Sequence, residues 1–341
     1  ELNIITVNYK NLCAVQPSSN RSATSSCITE AEILAKFPDV FEGVGLLEEE
    51  VHFDVDESVQ PVQIPLRRLP LGIRSKVRDE LKRLENDGII APVTEYTPWV
   101  SPMLVVNKPN GRIRLVIDAK PTINRALQRA KHYMPTIDDT LAQLAGSKVF
   151  TTCDVREAFY HLKLDDESSR LTTFATPFGR YRFLRCPFGV SPAPELWSAR
   201  LQAALAGLNG VACIADDILI TGAGDTEGDA IVDHNANLRA LFERCRDRGI
   251  KLNFSKLKLN SPSVLYCGHQ LTKHGVCADD RKLRAVAQMP PPSGRKSLQK
   301  TLGIAVYLSR YCPMFSDVTR PLRELLSKDN EFNWDPQIHG V

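Results

Sequence analysis

The 341-residue sequence predicts an α+β chain made of two or three subdomains. Three observations carry that prediction. Strand-like and helix-like segments are mixed from about residue 73 to residue 273, and only helical periodicity follows from about residue 279. Two β-prone runs around Val211–Ala215 and Ile218–Ile220 enclose the pair Asp216-Asp217, which reads as a hairpin with carboxylates at its tip. A third acid, Asp154, closes the strand-like run Val149–Asp154. Unpartnered buried carboxylates are very costly, so these acids are exposed, paired or holding a cation. Three aspartates at strand ends suit hard, oxygen-liganded divalent ions such as magnesium, and they suit two-metal phosphoryl transfer.

The elements follow in order. Residues 1–29 are Ser/Asn-rich and weakly patterned, an extended arm or linker. Thr29 caps a short helix to Lys36, stopped before Pro38. Val51–Leu69 alternates apolar and polar residues between prolines and reads as extended chain on a surface. Ile73, Val77, Leu81 and Leu84 form one helical face that Gly88 ends. Val100–Asn107 and Arg112–Asp118 form a hairpin around Pro109-Asn110-Gly111, with Ile113, Leu115 and Ile117 on one face. Thr136 caps a helix to Leu144. After the strand to Asp154 come a compact turn through Phe159, then strands near 161–164 and 171–184. Pro192 and Pro194 open a helix through Leu205. A helix over 229–248 and a β-hairpin over 250–273 follow the Asp-Asp hairpin. Three helices, 279–288, 295–311 and 316–327, close the chain.

Hydrophobic content of 43% and charged content of 24% belong to a globular protein, and no run of 18 apolar residues spans a membrane. The nine cysteines are scattered without a C-x-x-C pair and read as reduced, mostly buried cytosolic thiols. The net charge of +3 hides an uneven distribution. Residues 30–57 hold ten acids and one Lys, whereas 281–328 hold ten Lys/Arg and two acids. A basic C-terminal third is what a phosphate backbone attracts, although a solvated helix face would look the same.

The order of motifs resembles the reverse transcriptase of gypsy-like LTR retrotransposons, within the retroviral-type polymerase family, from about Phe37 to the C-terminus. The blocks are Pro98–Pro102, Lys108–Arg114, Tyr133–Ile137, Val149–Leu164, Thr172–Arg185, Pro187–Pro194, the Asp-Asp hairpin, Gly268–Thr272, and Leu302-Gly303 with Tyr307–Ser309. The resemblance implies a right-hand polymerase with fingers, a palm of antiparallel sheet packed on helices, and a helical thumb. Residues 1–29 would link to upstream polyprotein, and 30–90 would form an N-terminal extension and the start of the fingers. Residues 91–275 would be the fingers and palm, 276–329 the thumb, and 330–341 the lead into an RNase H domain.

The same resemblance assigns roles. Asp154, Asp216 and Asp217 match the palm carboxylates, with two magnesium ions also held by the Val155 carbonyl. Phe159 falls at the steric gate that selects deoxynucleotides, since a ring beneath the sugar clashes with a 2′-hydroxyl. The turn Arg156-Glu157-Ala158 would offer backbone N–H groups to the dNTP triphosphate, and Lys108 and Arg114 would supply the fingers' cations. Cys267-Gly268-His269 matches the primer grip, beside Ile214, which stands two positions before the Asp pair where the family usually has Tyr. Cys267, His269, His274 and Cys277 are also zinc-ligand types, at a spacing that fits no standard finger. Trp197-Ser198 replaces the family's frequent Phe-Gln, which puts the Ser198 contact with the nucleotide in question.

The implied activity is primer extension with dNTPs on RNA or DNA templates. Its partners would be RNA template, primer–template duplex and the RNase H, protease and integrase domains of the same polyprotein, inside cytoplasmic virus-like particles. No D-[ST]-G protease motif occurs, and the chain stops where RNase H would begin, as expected of a polyprotein fragment. Two rivals stay open. One is a decayed or co-opted copy that binds nucleic acid without polymerising; the other is an RNA-dependent RNA polymerase, which Phe159 disfavours.

Overall fold

A computed structural model describes residues 27–108, 111–129, 131–141, 146–312, 314–327 and 332–334. Most of the expected N-terminal arm, turn residues 109 and 110, the end of the helix expected to reach Leu144, Cys13 and most of 330–341 lie outside the described residues. The chain divides into two compact units, one over residues 25–261 and one that takes in the chain from Pro262 onward.

The strands of the first unit are β1 (Ile90–Val93), β2 (Ser101–Asn107), β3 (Ile113–Ile117), β4 (Ser147–Asp154), β5 (Phe174–Thr176), β6 (Gly179–Phe183), β7 (Val211–Ile214), β8 (Asp217–Ala223) and β9 (Lys258–Ser261). Its helices are α1 (Glu30–Lys36), α2 (Pro38–Phe41), α3 (Arg74–Asn86), α4 (Ile137–Leu141), α5 (Asp166–Leu171), α6 (Ala193–Leu205) and α7 (Glu227–Asp247). One sheet has the order β1-β6-β5-β2-β3, with β2 and β5 parallel; the other is β7-β8-β4-β9 and wholly antiparallel.

Local chemistry explains most of these elements. In β3, Ile113, Leu115 and Ile117 are buried while Arg114 and Val116 are half-exposed, so the alternation places one face on the core. Gly111 takes φ 77° beside the turn, where a Cβ would be strained. The helix α3 buries Val77, Leu81 and Leu84, as their spacing predicts. The helix α7 starts at a capping box: the Thr226 hydroxyl accepts from the Asp229 N–H, and the Asp229 carboxylate accepts from the Thr226 N–H, each at 3.1 Å. It buries Leu238, Leu241, Phe242 and Cys245, and the Phe242 ring lies 5.4 Å from Phe37 and 5.7 Å from Phe41. The stretch after Val51 is extended, with isolated bridges Val51–Leu164, Val55–Leu127 and Gln63–Val100.

The structure departs from the sequence reading at three places. The strand expected at 161–164 is a 3-10 turn, Ala158–His161, followed by isolated bridges, because the His161 ring folds back to the Ala158 carbonyl at 3.0 Å. The hairpin expected over 250–273 is split. Its first part is the edge strand β9, and its second part belongs to the meander β10 (Ser263–Tyr266), β11 (His269–Thr272) and β12 (Gly275–Ala278). Asn260 at φ 48° and the following Pro262 interrupt the ladder. Of the eight described cysteines, only Cys153, Cys186 and Cys245 are buried, fewer than the sequence suggests.

The second unit adds the helices α8 (Asp280–Ala287), α9 (Arg295–Leu308) and α10 (Phe315–Glu324) to that meander. Leu298, Leu302 and Leu322 form its small buried core.

Candidate active site

The register of the four-stranded sheet sets Asp154, the last residue of β4, directly opposite Asp217, the first of β8. Ile214 faces Asp217 from β7, which leaves Ala215 and Asp216 as a two-residue turn. Ala215 takes the left-handed φ of 55° that such a turn demands. The Val155 N–H donates to the Asp216 carbonyl at 2.9 Å and ties the turn to the end of β4. Three aspartates, two of them 62 residues apart in sequence, are thus brought to one edge of the sheet.

Their electrostatics are those of crowded like charges. Burial first, and then the charges of Asp216 and Asp154, raise the Asp217 carboxyl above its ordinary range, while Lys256 opposes them. The Lys256 ammonium donates to the Asp154 carboxylate at 2.6 Å. Among the described residues no three His, Cys, Asp or Glu side chains are drawn together tightly enough to hold an ion. Asp154 is engaged with Lys256, and an ammonium supplies positive charge where the carboxylates crowd. An all-oxygen, mutually repelling donor set that already attracts a cation fits a hard divalent ion.

The turn after Val155 carries the other expected groups. Glu157 sits at φ 49° and accepts from Arg83 at 3.2 Å, with the Lys108 ammonium 4.0 Å away. Burial, then the neighbouring Arg114 charge, lowers the Lys108 pKa. The Arg114 guanidinium lies over the Phe188 ring at 4.2 Å, and that ring lies 4.8 Å from Phe159 and 5.5 Å from Tyr160. Lys108, Arg114, Glu157 and Phe159 therefore form one cluster. Two of the expected nucleotide contacts have partners within the chain. The Arg156 N–H donates to the Lys251 carbonyl at 2.8 Å. Ser198 is buried, and its hydroxyl accepts from the Gln202 amide at 2.9 Å.

In the second unit, Cys267 at φ 47° and Gly268 at φ 83° make the tight turn between β10 and β11. The Tyr307 hydroxyl donates to the Gly268 carbonyl at 3.1 Å and accepts from Lys282 at 2.7 Å. His269 is buried, and its Nδ1 shares a hydrogen bond with the Tyr311 hydroxyl, which accounts for one ring nitrogen of the expected Gly-His without a metal.

Sequence reasoning missed Lys256, 102 residues from its partner Asp154, and Lys251, whose backbone receives Arg156. Neither has a local signature. Trp197 was noticed only as a replacement; its indole N–H donates to the Ala215 carbonyl at 3.0 Å.

Residues 106–271 match the family described as reverse transcriptase (RNA-dependent DNA polymerase). The K02A2.6 protein of Caenorhabditis elegans is 33% identical over 324 residues, covering 91% of this chain and 25% of that protein. A retrovirus-related Pol polyprotein from transposon opus of Drosophila melanogaster is 30% identical over 306 residues, covering 86% of this chain and 29% of the polyprotein. The chain thus spans about a quarter of the length of these relatives. A foamy viral protease-reverse transcriptase solved with double-stranded DNA shares the fold, with a TM-score of 0.76 at 21% identity, over 91% of this chain and 54% of that one. The α+β fold is therefore the one seen in that foamy viral protein. No helix among the described residues is long and apolar enough to cross a membrane.

Proposed function

Because the chain belongs to the reverse transcriptase family, in the form found in retrotransposon Pol polyproteins, we propose that it extends a primer 3′-hydroxyl with dNTPs on RNA or DNA templates. The observation that supports this most is the cross-strand placement of Asp154 against Asp217, with the Asp216 carbonyl tied to the Val155 N–H. Asp154, Asp216 and Asp217, with the Val155 carbonyl, would hold two magnesium ions. Such ions, when bound, stabilise the charge that develops in phosphoryl transfer and activate the attacking hydroxyl.

The chain's own residues would do the rest. Lys108 and Arg114 bind phosphate oxygens, aided by the amides of Glu157 and Ala158. Phe159, backed by Phe188, excludes a 2′-hydroxyl. Ile214 and the Cys267-Gly268-His269 turn hold the primer, and the basic helices of residues 276–329 act as a thumb on the duplex. Residues 91–275 would then be fingers and palm, 30–90 the extension leading into them, and 330–341 the lead into RNase H. Protease, RNase H and integrase of the same polyprotein would be its partners, in cytoplasmic virus-like particles.

The test is primer extension on an RNA template with dNTPs and magnesium. Wild type extends, and Asp154→Asn abolishes extension while duplex binding is kept. A wild type that binds duplex and adds no nucleotide would overturn this function and favour a co-opted binding protein. Equal loss of binding and extension in the variant would signal misfolding.

A further inference from the structure

The turn that carries Asp216 and Asp217 is held from behind by an aromatic pair. Ala215, in the left-handed conformation at φ 55°, has a Cβ and no glycine's freedom, so something must keep it there. Its carbonyl accepts from the Nε1–H of Trp197 at 3.0 Å, and Trp197 is 1% exposed on α6. The same indole packs on the His161 imidazole, ring centroids 5.3 Å apart and tilted by 53°. His161 is pinned in turn, with Nδ1 3.0 Å from the Ala158 carbonyl and Nε2 3.0 Å from the Lys251 N–H. The Lys251 carbonyl accepts from the Arg156 N–H at 2.8 Å, two residues beyond Asp154. Gly45 leaves room for that ring, because a Cβ there would lie 1.9 Å from His161 Nε2. One chain of contacts therefore runs from the Ala215 carbonyl through Trp197, His161 and Lys251 to the residues after Asp154. A phenylalanine would keep an aromatic ring in the slot of Trp197, a smaller one, and offers no donor to the turn.

We propose that Trp197 is a positioning residue: its indole N–H fixes the Ala215 carbonyl and so aims Asp216 and Asp217 together with Asp154 at a shared divalent cation. The consequence for catalysis rests on the reverse transcriptase reading; the positioning itself does not.

The experiment uses the full chain with ¹⁵N-labelled indoles. The three tryptophans, Trp99, Trp197 and Trp334, give three Nε1–H signals, and Trp197→Phe assigns the one of interest. The Trp197 signal is expected to exchange slowly with solvent. Mn²⁺ binding, followed by the free-ion EPR signal, is expected to weaken about fivefold in Trp197→Phe, the equivalent of one neutral hydrogen bond. Thermal melting falls by no more than a few degrees, so the variant stays folded, and the maximal extension rate falls with the KM for dNTP unchanged. Fast exchange of the Trp197 indole in wild type overturns the proposal even if the variant misfolds. Unchanged Mn²⁺ affinity in a folded Trp197→Phe protein overturns it as well. A wild type that protects the indole and binds Mn²⁺, with the affinity lowered in the variant, supports the positioning role even when no primer is extended, and that absence of extension counts only against the polymerase reading.

Discussion

Acidification is expected to destabilise the first unit through His161, and the structure sets the size of the effect. The ring is fully buried. With Nδ1 facing the Ala158 carbonyl and Nε2 accepting from the Lys251 N–H, it is a neutral imidazole whose second proton would point at another donor. Burial holds its pKa at about 4, against an ordinary 6.5. The unfolded chain therefore binds the proton first as pH falls. The stabilisation is complete above pH 6.5 and is lost progressively as pH drops from 6.5 towards 4. A gap of about 2.5 units at roughly 1.36 kcal/mol per unit amounts to about 3 kcal/mol. His234, buried beside Thr151 and held at about 4 by the same cause, adds a parallel slope that is common to wild type and a His161 variant. The assay is urea unfolding at pH 5, 6 and 7 for wild type and His161→Gln, which keeps an acceptor and a donor but cannot titrate. Between pH 6 and 5 the wild type is expected to lose about 1 kcal/mol more than the variant. Carboxylates titrate alike in both proteins and cancel. Parallel stability curves would refute the reasoning.

The other predictions concern nucleotides and nucleic acid. Phe159→Ala is expected to lower the ratio of dNTP to rNTP incorporation, because the ring packed on Phe188 is the proposed barrier to a 2′-hydroxyl; an unchanged ratio would leave Phe159 a packing residue only. Duplex affinity should fall steeply with salt. Lys296→Gln with Lys300→Gln, both exposed on α9, should flatten the log–log slope by roughly 0.7–0.9 for each lysine that meets a phosphate, and an identical slope would remove those two residues from the nucleic-acid contact.

Local rules in the sequence were sufficient for most elements. The alternation of Ile113, Leu115 and Ile117 and the stripe Val77–Leu81–Leu84 each depend on neighbours within a few residues, so their physics is written in the chain itself. The Asp-Asp hairpin was legible for the same reason: two short β-prone runs around two polar residues permit little else. Identity alone says nothing about which distant groups meet. The pairing of Asp154 with Asp217, the Lys256 ammonium on Asp154, the commitment of the Arg156 amide to Lys251, the burial of Ser198 and the indole of Trp197 on the Ala215 carbonyl were all decided by tertiary structure. Each depends on sheet register or on which face of a helix is buried against a distant segment. Those are settled when the whole apolar surface is packed at once, and no window of sequence contains that information.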